Sequence, residues 1–227
     1  FFYGLAQELG IENMTNFVRH FGFGRKSEFD IKGEIEGLLP TPEWKKRRFK
    51  QPWYPGETVI VGIGQGYTLV TPLQLAQATA ILANNGVAMR PHLVTEIQDP
   101  ISGQSQKIPH KILDRVQLNP NNVEIVKRGM VDVTMPGGTA ASVGANAGYT
   151  IAAKTGTAQL TKPGGGYYDD RFLHSFFGYF PAYDPQFLVF LYTEDPQGVT
   201  YASETLTDTF MNITKFLINY YNVPPDR

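Results

Sequence analysis

The sequence predicts an α/β fold in which helices cover both faces of an antiparallel sheet. Extended runs at residues 150–153, 174–180 and 187–192 predict at least three strands. The last two runs are continuously apolar, which is typical of strands that are covered on both faces. Turn residues between them, Pro181 and Asp184, favour antiparallel pairing, and helical periodicity before and after the runs supplies the covering layers.

The composition is that of an ordinary globular chain, since 42% of the 227 residues are hydrophobic and 18% are charged. The net charge is −1, so the electrostatics do not indicate a nucleic-acid partner. The chain has no cysteine, and His92 and His110 stand alone, so we expect no metal site and no thiol chemistry. No apolar run approaches the ~18 residues that a membrane-spanning helix needs.

The first 58 residues predict two short helices and then a surface segment. The helices occupy residues 1–21 and are separated at Gly10, and each carries an apolar stripe that we expect to face the core. The two stripes are Phe1, Leu5 and Leu9, followed by Met14, Phe17, Val18 and Phe21. Residues 25–58 lack periodicity and predict a long surface excursion, whose basic run Lys45 to Arg48 we interpret as a solvated face.

A helix with explicit start signals follows at Thr71. The threonine is a good N-cap, Pro72 suits the first helical position, and Gln74 completes a capping box. We expect the helix to end at residues 84–86, which read Asn-Asn-Gly. The residues expected to face inward are Leu73, Ala76, Ala80 and Ala83.

The remaining elements are predicted by periodicity and turn residues. Residues 87–120 predict short strands joined by turns, and residues 121–134 predict a helix that ends at Pro136. The inward residues of that helix are expected to be Val123, Val126, Met130 and Val133. A glycine-rich connection at residues 160–171 joins the first two strands of the main sheet, and a final helix begins at about Thr205. Its expected inward stripe is Leu206, Phe210, Ile213, Leu217 and Tyr220.

Residues 151–159, which read IAAKTGTAQ, form the candidate functional segment. Side chains alternate along an extended chain, so Lys154 and Gly156 share one face. Thr155 and Thr157 lie on the other face, and a ligand that contacts all four residues must lie along the edge of the strand. Such an edge suits an acyl group that carries a carboxylate, because the lysine supplies positive charge, the hydroxyls hold the carboxylate, and the N–H of Thr157 stabilises an oxyanion. The alternative interpretation is an ordinary strand with a surface lysine, because a sequence as short as Lys-Thr-Gly also occurs by chance.

The Lys-Thr-Gly sequence is also one of three motifs of the penicilloyl serine transferases, whose other two are Ser-x-x-Lys and Ser-x-Asn. The longer string KTGTAQ resembles the transpeptidase domain of high-molecular-weight penicillin-binding proteins. Residues 40–58 (PTPEWKKRRFKQPWYPGET) and 61–86 (VGIGQGYTLVTPLQLAQATAILANNG) are similar to the class B, rod-elongation subfamily, penicillin-binding protein 2. The resemblance covers nearly the whole chain and implies the fold shared by penicillin-binding transpeptidases and serine β-lactamases.

The resemblance implies a peptidoglycan D,D-transpeptidase that cross-links stem peptides by serine acyl transfer during cell elongation and is a target of β-lactam antibiotics. It implies that Lys154 sustains the positive potential and contacts the serine of the second motif. Thr155, Gly156 and Thr157 then bind the substrate, with both hydroxyls on its carboxylate. The N–H of Thr157 completes the oxyanion hole together with that of the nucleophile. This chemistry implies no cofactor.

The nucleophile of such an enzyme is not found in this sequence. No Ser or Thr is followed by Lys three residues later, and the one Ser/Thr-x-Asn/Asp triplet, Thr193 to Asp195, closes a predicted strand. We therefore expect residues 1–227 to be the C-terminal part of one transpeptidase domain, with a membrane anchor, a pedestal and the first two motifs upstream. The resemblance implies a location at the periplasmic face of the bacterial inner membrane, with a membrane glycan polymerase and elongation-complex proteins as partners.

One alternative function remains open, a catalytically silent penicillin-binding fold that serves as a sensor or scaffold in a cell-wall complex. Two further patterns are discounted. His174 and Ser175 suggest a Ser-His hydrolase, but adjacent strand residues face opposite ways and no G-x-S-x-G motif is present. The glycines of residues 62–66 lack the spacing of a dinucleotide loop, since Tyr67 occupies the third glycine position.

Overall fold

The structure is a computed structural model that describes residues 1–145 and 147–226. The chain forms two compact units, Phe1–Gln117 and Leu118–Arg227. The elements of the first unit are α1 (Phe2–Arg19), α2 (Pro42–Phe49), α3 (Pro55–Val61), α4 (Pro72–Ala83), β1 (Val87–Met89), β2 (Glu96–Gln98), β3 (Ser105–Lys107) and β4 (Ile112–Arg115). Strand β1 pairs with β4 and β2 pairs with β3, both antiparallel, which confirms the short strands predicted for this region.

Helix α1 confirms the two short helices but only part of the faces that they bury. The helix is interrupted at Gly10, whose φ of 74° lies in the left-handed region that favours glycine. The predicted stripes are only partly correct, because Phe1 is 94% exposed and Phe17 is 55% exposed, while four of their companions are half-buried. These four are Leu5, Met14, Val18 and Phe21. The buried residues are instead Ala6, Ile11 and Thr15. Helix α1 packs closely against α3, where a Cβ added at Gly62 would overlap the Cβ of Ala6, and this contact between small residues selects the buried face.

Helix α2 corrects part of the interpretation of the basic run. Lys45 is buried, its ammonium pairs with the carboxylate of Glu57, and it lies 4.2 Å from the centre of the Tyr54 ring. The exposed residues of the run are Lys46, Arg47 and Arg48. A lysine is tolerated in the interior when an opposite charge and an aromatic face replace the lost water. The run is therefore a solvated face only in its last three residues.

Helix α4 begins as predicted, with a reciprocal capping box. Thr71 Oγ1 accepts the N–H of Gln74 at 3.1 Å, and Gln74 Oε1 accepts the N–H of Thr71 at 2.9 Å. The predicted inward face is only partly correct, because Ala83 is buried but three of its companions are half-buried. These three are Leu73, Ala76 and Ala80. Gln74 is fully buried instead, since its amide donates to the carbonyls of Arg25 and Glu36 and so leaves no polar group unpaired on that side.

The second unit contains the predicted three-stranded sheet. Its elements are α5 (Pro120–Asp132), α6 (Ala141–Gly144), β5 (Ala152–Thr161), β6 (Tyr167–Phe180), β7 (Phe187–Glu194), α7 (Ala202–Thr205) and α8 (Thr207–Tyr221). Strand β6 lies between β5 and β7, and both pairings are antiparallel. The α/β prediction is confirmed.

Helices cover both faces of this sheet. On one face, the ring of Phe210 in α8 lies 4.8 Å from that of Phe176 and 6.4 Å from that of Phe180 in β6. On the other face, Tyr179 lies near Glu124 of α5, and burial together with this carboxylate raises the pKa of Tyr179 to about 12. Residues three apart on a strand point to opposite sides, so Phe176 and Tyr179 mark the two faces. The sheet is sandwiched between α8 and α5, as predicted.

The inward faces of α5 and α8 differ in detail from the prediction. Val123 of α5 is buried as expected, but Val126 is 49% exposed. Phe210 of α8 is fully buried, whereas Tyr220 is 67% exposed and its ring lies 4.9 Å from that of Tyr221. The buried residues of α8 are Thr207, Phe210, Thr214 and Ile218, and the predicted Ile213 and Leu217 are partly buried against the same core. No helix in the described part of the chain is long and apolar enough to cross a membrane.

Candidate active site

Strand β5 carries the candidate segment at one edge of the sheet. It pairs with β6 on one side, and no strand within residues 1–145 and 147–226 pairs with its other side. The register places Lys154 opposite Phe177 and Thr157 opposite His174. The open strand edge that a ligand requires is therefore present.

Lys154 brings a positive charge to this edge that no neighbouring acid neutralises. Its ammonium donates a hydrogen bond to the carbonyl oxygen of Thr155. None of the ion pairs formed by the described residues includes Lys154. Part of the side chain is exposed, yet desolvation by the surrounding protein lowers the pKa of Lys154 below its ordinary value. An unpaired ammonium in this position attracts an anionic ligand to the edge.

Thr155 and Thr157 present two hydroxyl groups on the opposite face of β5. Residues two apart on a strand are separated by roughly 6.6 Å, so both hydroxyls can contact one small ligand. Thr157 Oγ1 accepts the backbone N–H of Ala202 at 3.3 Å, while the hydroxyl of Thr155 has no partner in the described structure. A hydroxyl that accepts one hydrogen bond still has its own hydrogen to donate. Both threonines can therefore donate to a carboxylate.

Gly156 has a packing role that the sequence did not reveal. It lies directly opposite Ser175 of β6, and a Cβ added at Gly156 would overlap Ser175 Oγ. The glycine therefore makes room for the serine hydroxyl on the face that also carries Lys154.

The His174-Ser175 pair and the Thr193 to Asp195 triplet have structural roles. His174 is fully buried, and its Nδ1 and Nε2 lie 3.0 Å from Thr205 Oγ1 and 2.9 Å from the Thr200 carbonyl oxygen. It lies on the opposite face of the sheet from Ser175, so the predicted absence of a Ser-His pair is confirmed. Asp195 accepts from Arg171 Nε at 2.9 Å and Nη2 at 2.7 Å, so the triplet that it ends is held by an ion pair.

The connection after β5 is built on three glycines. Gly164, Gly165 and Gly166 all have positive φ, between 81° and 112°, which favours glycine at each position. The ring of Tyr168 lies 5.6 Å from the Lys162 ammonium and 4.7 Å from the guanidinium of Arg171. Tyr168 thus anchors the connection through contacts with two cationic side chains.

The structure brings His92 and His110 together, which the sequence analysis did not predict. Their ring centres are 5.6 Å apart, and His92 Nδ1 lies 2.8 Å from the Val94 carbonyl oxygen. Within the described residues no group of three or more His, Cys, Asp or Glu side chains has the arrangement of a metal site. Local sequence cannot predict this approach, because it depends on the path of the chain between the two residues.

Comparison with known proteins identifies relatives for nearly the whole chain. A family described as the penicillin binding protein transpeptidase domain matches residues 1–215. The peptidoglycan D,D-transpeptidase MrdA of Haemophilus influenzae is 35% identical over an alignment of 240 residues that covers 99% of this chain. The structure of Pseudomonas aeruginosa PBP2 in complex with WCK 5153 superposes with a TM-score of 0.82 at 40% identity over 96% of this chain. The structure of Helicobacter pylori PBP2 in complex with MreC has a TM-score of 0.76 at 29% identity, also over 96% of this chain.

The chain is shorter than each of these relatives. It spans 36% of the H. influenzae protein, 44% of the P. aeruginosa chain and 38% of the H. pylori chain. The matches therefore concern one part of longer proteins.

Proposed function

Because the chain belongs to the penicillin-binding protein transpeptidase family, we propose that it is the C-terminal part of a peptidoglycan D,D-transpeptidase domain of the penicillin-binding protein 2 type. The observation that carries this proposal is the open edge of β5. There Lys154, Thr155 and Thr157 combine an unpaired positive charge with two hydroxyl donors. An acyl donor that ends in a carboxylate, such as a D-Ala-D-Ala stem peptide, has the matching chemistry.

In the proposed reaction a serine hydroxyl attacks the carbonyl carbon of the penultimate D-Ala. The C–N bond to the last D-Ala breaks, its nitrogen takes up a proton, and the D-Ala leaves. An amine from a neighbouring stem peptide then attacks the acyl-enzyme ester, which forms the cross-link and releases the serine. A β-lactam acylates the same serine when its ring amide opens.

The chain's own residues bind and orient the acyl donor in this scheme. Lys154 sustains the positive potential and contacts the second-motif serine, while the hydroxyls of Thr155 and Thr157 hold the carboxylate. Gly156 keeps the strand free of a side chain on the face that it shares with Lys154. The N–H of Thr157 stabilises the oxyanion together with that of the nucleophile. No step of this scheme calls for a cofactor.

We place the nucleophile outside residues 1–227, because the sequence has no Ser-x-x-Lys motif. We use the term complete protein for one that carries this chain together with the upstream part of its domain. A membrane anchor and a pedestal belong to that upstream part in our proposal, which sets the domain at the periplasmic face of the inner membrane. The H. pylori relative was solved in complex with MreC, and this supports elongation-complex proteins as proposed partners. The family resemblance adds a membrane glycan polymerase to the proposed partners.

Labelling with a fluorescent penicillin tests the proposed function. We expect the complete protein to form a covalent adduct that survives denaturation, and unlabelled penicillin to prevent its formation. Absence of labelling in a folded complete protein would contradict the enzyme assignment and favour the alternative, a catalytically silent scaffold of the same fold.

We also predict that the glycine connection after β5 covers the site during acylation. Gly164 to Gly166 follow the end of β5 at Thr161 by three to five residues, and glycines lose the most entropy when a loop becomes ordered. Shortening the three glycines to one in the complete protein should lower the rate of β-lactam acylation by at least about threefold at an unchanged melting temperature. Acylation rate and melting temperature are measured on the same preparation. An unchanged rate at unchanged stability would end the proposal of a covering role and leave a surface hairpin.

A further inference from the structure

We propose that His174 is a positioning residue for the carboxylate site and that it acts through Ala202 on the hydroxyl of Thr157. This inference rests on the proposed function. His174 and Thr157 face each other across β6 and β5, so their side chains share one face of the sheet. Thr157 is exposed at the edge of the sheet, while His174 beside it is fully buried.

Both ring nitrogens of His174 bind the segment that surrounds Ala202. Nε2 lies 2.9 Å from the carbonyl oxygen of Thr200, and Nδ1 lies 3.0 Å from Thr205 Oγ1. A carbonyl oxygen only accepts, so Nε2 carries the hydrogen in the neutral ring and Nδ1 accepts from the threonine hydroxyl. The imidazole therefore forms hydrogen bonds with residues on both sides of Ala202.

Internal hydrogen bonds also hold this segment, residues 200–205, in place. Glu204 Oε2 accepts the backbone N–H of Tyr201 at 2.8 Å and that of Thr200 at 3.2 Å, which closes the first turn of α7. The carbonyl oxygen of Ala202, a residue that is 1% exposed, accepts the backbone N–H of Leu206 at 3.1 Å. Residues 200–205 thus form a compact unit whose attachment to the sheet includes His174.

Residues 200–205 donate one hydrogen bond to the candidate site, at Thr157. The N–H of Ala202 donates to Thr157 Oγ1 at 3.3 Å, which occupies one acceptor position of that hydroxyl. A carboxylate ligand only accepts, so the hydroxyl binds it by donating its hydrogen. With the acceptor side held by Ala202, the hydrogen of Thr157 is directed away from the protein and toward the open edge. The imidazole prepares this orientation without touching the ligand.

The experiment compares penicillin with its methyl ester in the complete protein. The ratio of their acylation rate constants, which we call the acid preference, measures recognition of the carboxylate. His174→Phe fills the same space without hydrogen bonds and should lower the acid preference about tenfold, as expected when one hydrogen bond to a charged group is lost. The rate with the ester should change by less than about twofold, because the ester has no charge to bind.

Two further variants separate positioning from simple support of the fold. His174→Gln keeps a donor at the place of Nε2 and should retain an acid preference within about threefold of the original. His174→Phe combined with Thr157→Val should show the acid preference of Thr157→Val alone, because both changes remove the same interaction. Thr193→Val is the matched control, since Thr193 lies opposite His174 on the β7 side and its hydroxyl forms no hydrogen bond with a described residue.

The outcomes are distinguishable. If His174→Phe is too unstable to study, Thr205→Val removes one partner of the imidazole and should lower the acid preference in the same direction. Equal losses with penicillin and ester, or an additive double variant, would overturn the positioning role and leave the proposed function intact. Failure of penicillin to acylate the unmodified complete protein would overturn the proposed function and this inference together.

Discussion

Replacing Lys154 by Ala in the complete protein should slow acylation by a β-lactam by at least about a hundredfold, the scale lost with one preorganised electrostatic group. Lys154 is the lysine that adjoins the Thr-Gly-Thr edge of β5, and no acid in the described structure pairs with it. In the proposed site, its removal takes away the positive potential that attracts the carboxylate and supports the second-motif serine. Stopped-flow or gel-based measurement of the second-order acylation rate checks the prediction.

Lys215→Ala is the matched control for this change. Lys215 is an exposed lysine of α8, so its replacement alters the net charge equally and leaves the strand edge unchanged. We expect its acylation rate to stay within about twofold of the unmodified protein, since isolated surface charges contribute little. Near-normal acylation of Lys154→Ala would remove Lys154 from the site.

Replacing Thr155 and Thr157 together by Val should lower the acid preference about a hundredfold, because two hydrogen bonds to a charged group are lost. Valine suits strands, so β5 should still form and the melting temperature should change little. The change separates folding from recognition, since only the hydroxyls are removed. Circular dichroism measures the fold, and the two acylation rates measure recognition.

Thr161→Val supplies the control for the double variant. Thr161 is the last residue of β5 and is exposed, so the same substitution is made on the same strand away from the proposed site. Its acid preference should not change. A folded Thr155 and Thr157 double variant that reacts normally with penicillin would show that the hydroxyls do not hold the carboxylate.

Features that depend on near neighbours in the chain were predictable from the sequence. The capping box of α4 needs only Thr71 and Gln74, three positions apart, and it is present as predicted. The alternation that separates Lys154 from Thr155 needs only an extended chain, and β5 provides it. The kink at Gly10 likewise follows from the residue itself, since glycine favours positive φ.

Which face of a helix is buried could not be predicted, because the partner decides it. Ala6 is buried since it meets Gly62, whereas Phe1 and Phe17 of the predicted stripes are exposed. Gln74 is buried because two carbonyl oxygens from a distant loop accept its amide hydrogens. Periodicity shows which apolar residues share one face of a helix, but it does not show which residues elsewhere in the chain pack against that face.

The second layer of the candidate site was hidden for the same reason. Ser175 fills the space that Gly156 leaves, and Ala202 reaches Thr157 from 45 positions along the chain. His174 was correctly judged not to form a hydrolase pair, but its contacts with Thr200 and Thr205 depend on the path of the chain after β7. The sequence pattern names candidate ligand-binding residues, whereas the residues that hold them in place are found only in the structure.

Intact mass spectrometry with peptide mapping tests the central claim most directly, namely that this chain supplies the binding edge of a transpeptidase whose serine lies elsewhere. The complete protein and the 227-residue chain alone are each incubated with penicillin. We predict one adduct on the complete protein, on a serine outside residues 1–227 that is followed by Lys three residues later. We predict none on the isolated chain, because an unassisted serine is a weak nucleophile. A stable adduct on any residue of the isolated chain would contradict this division of the site.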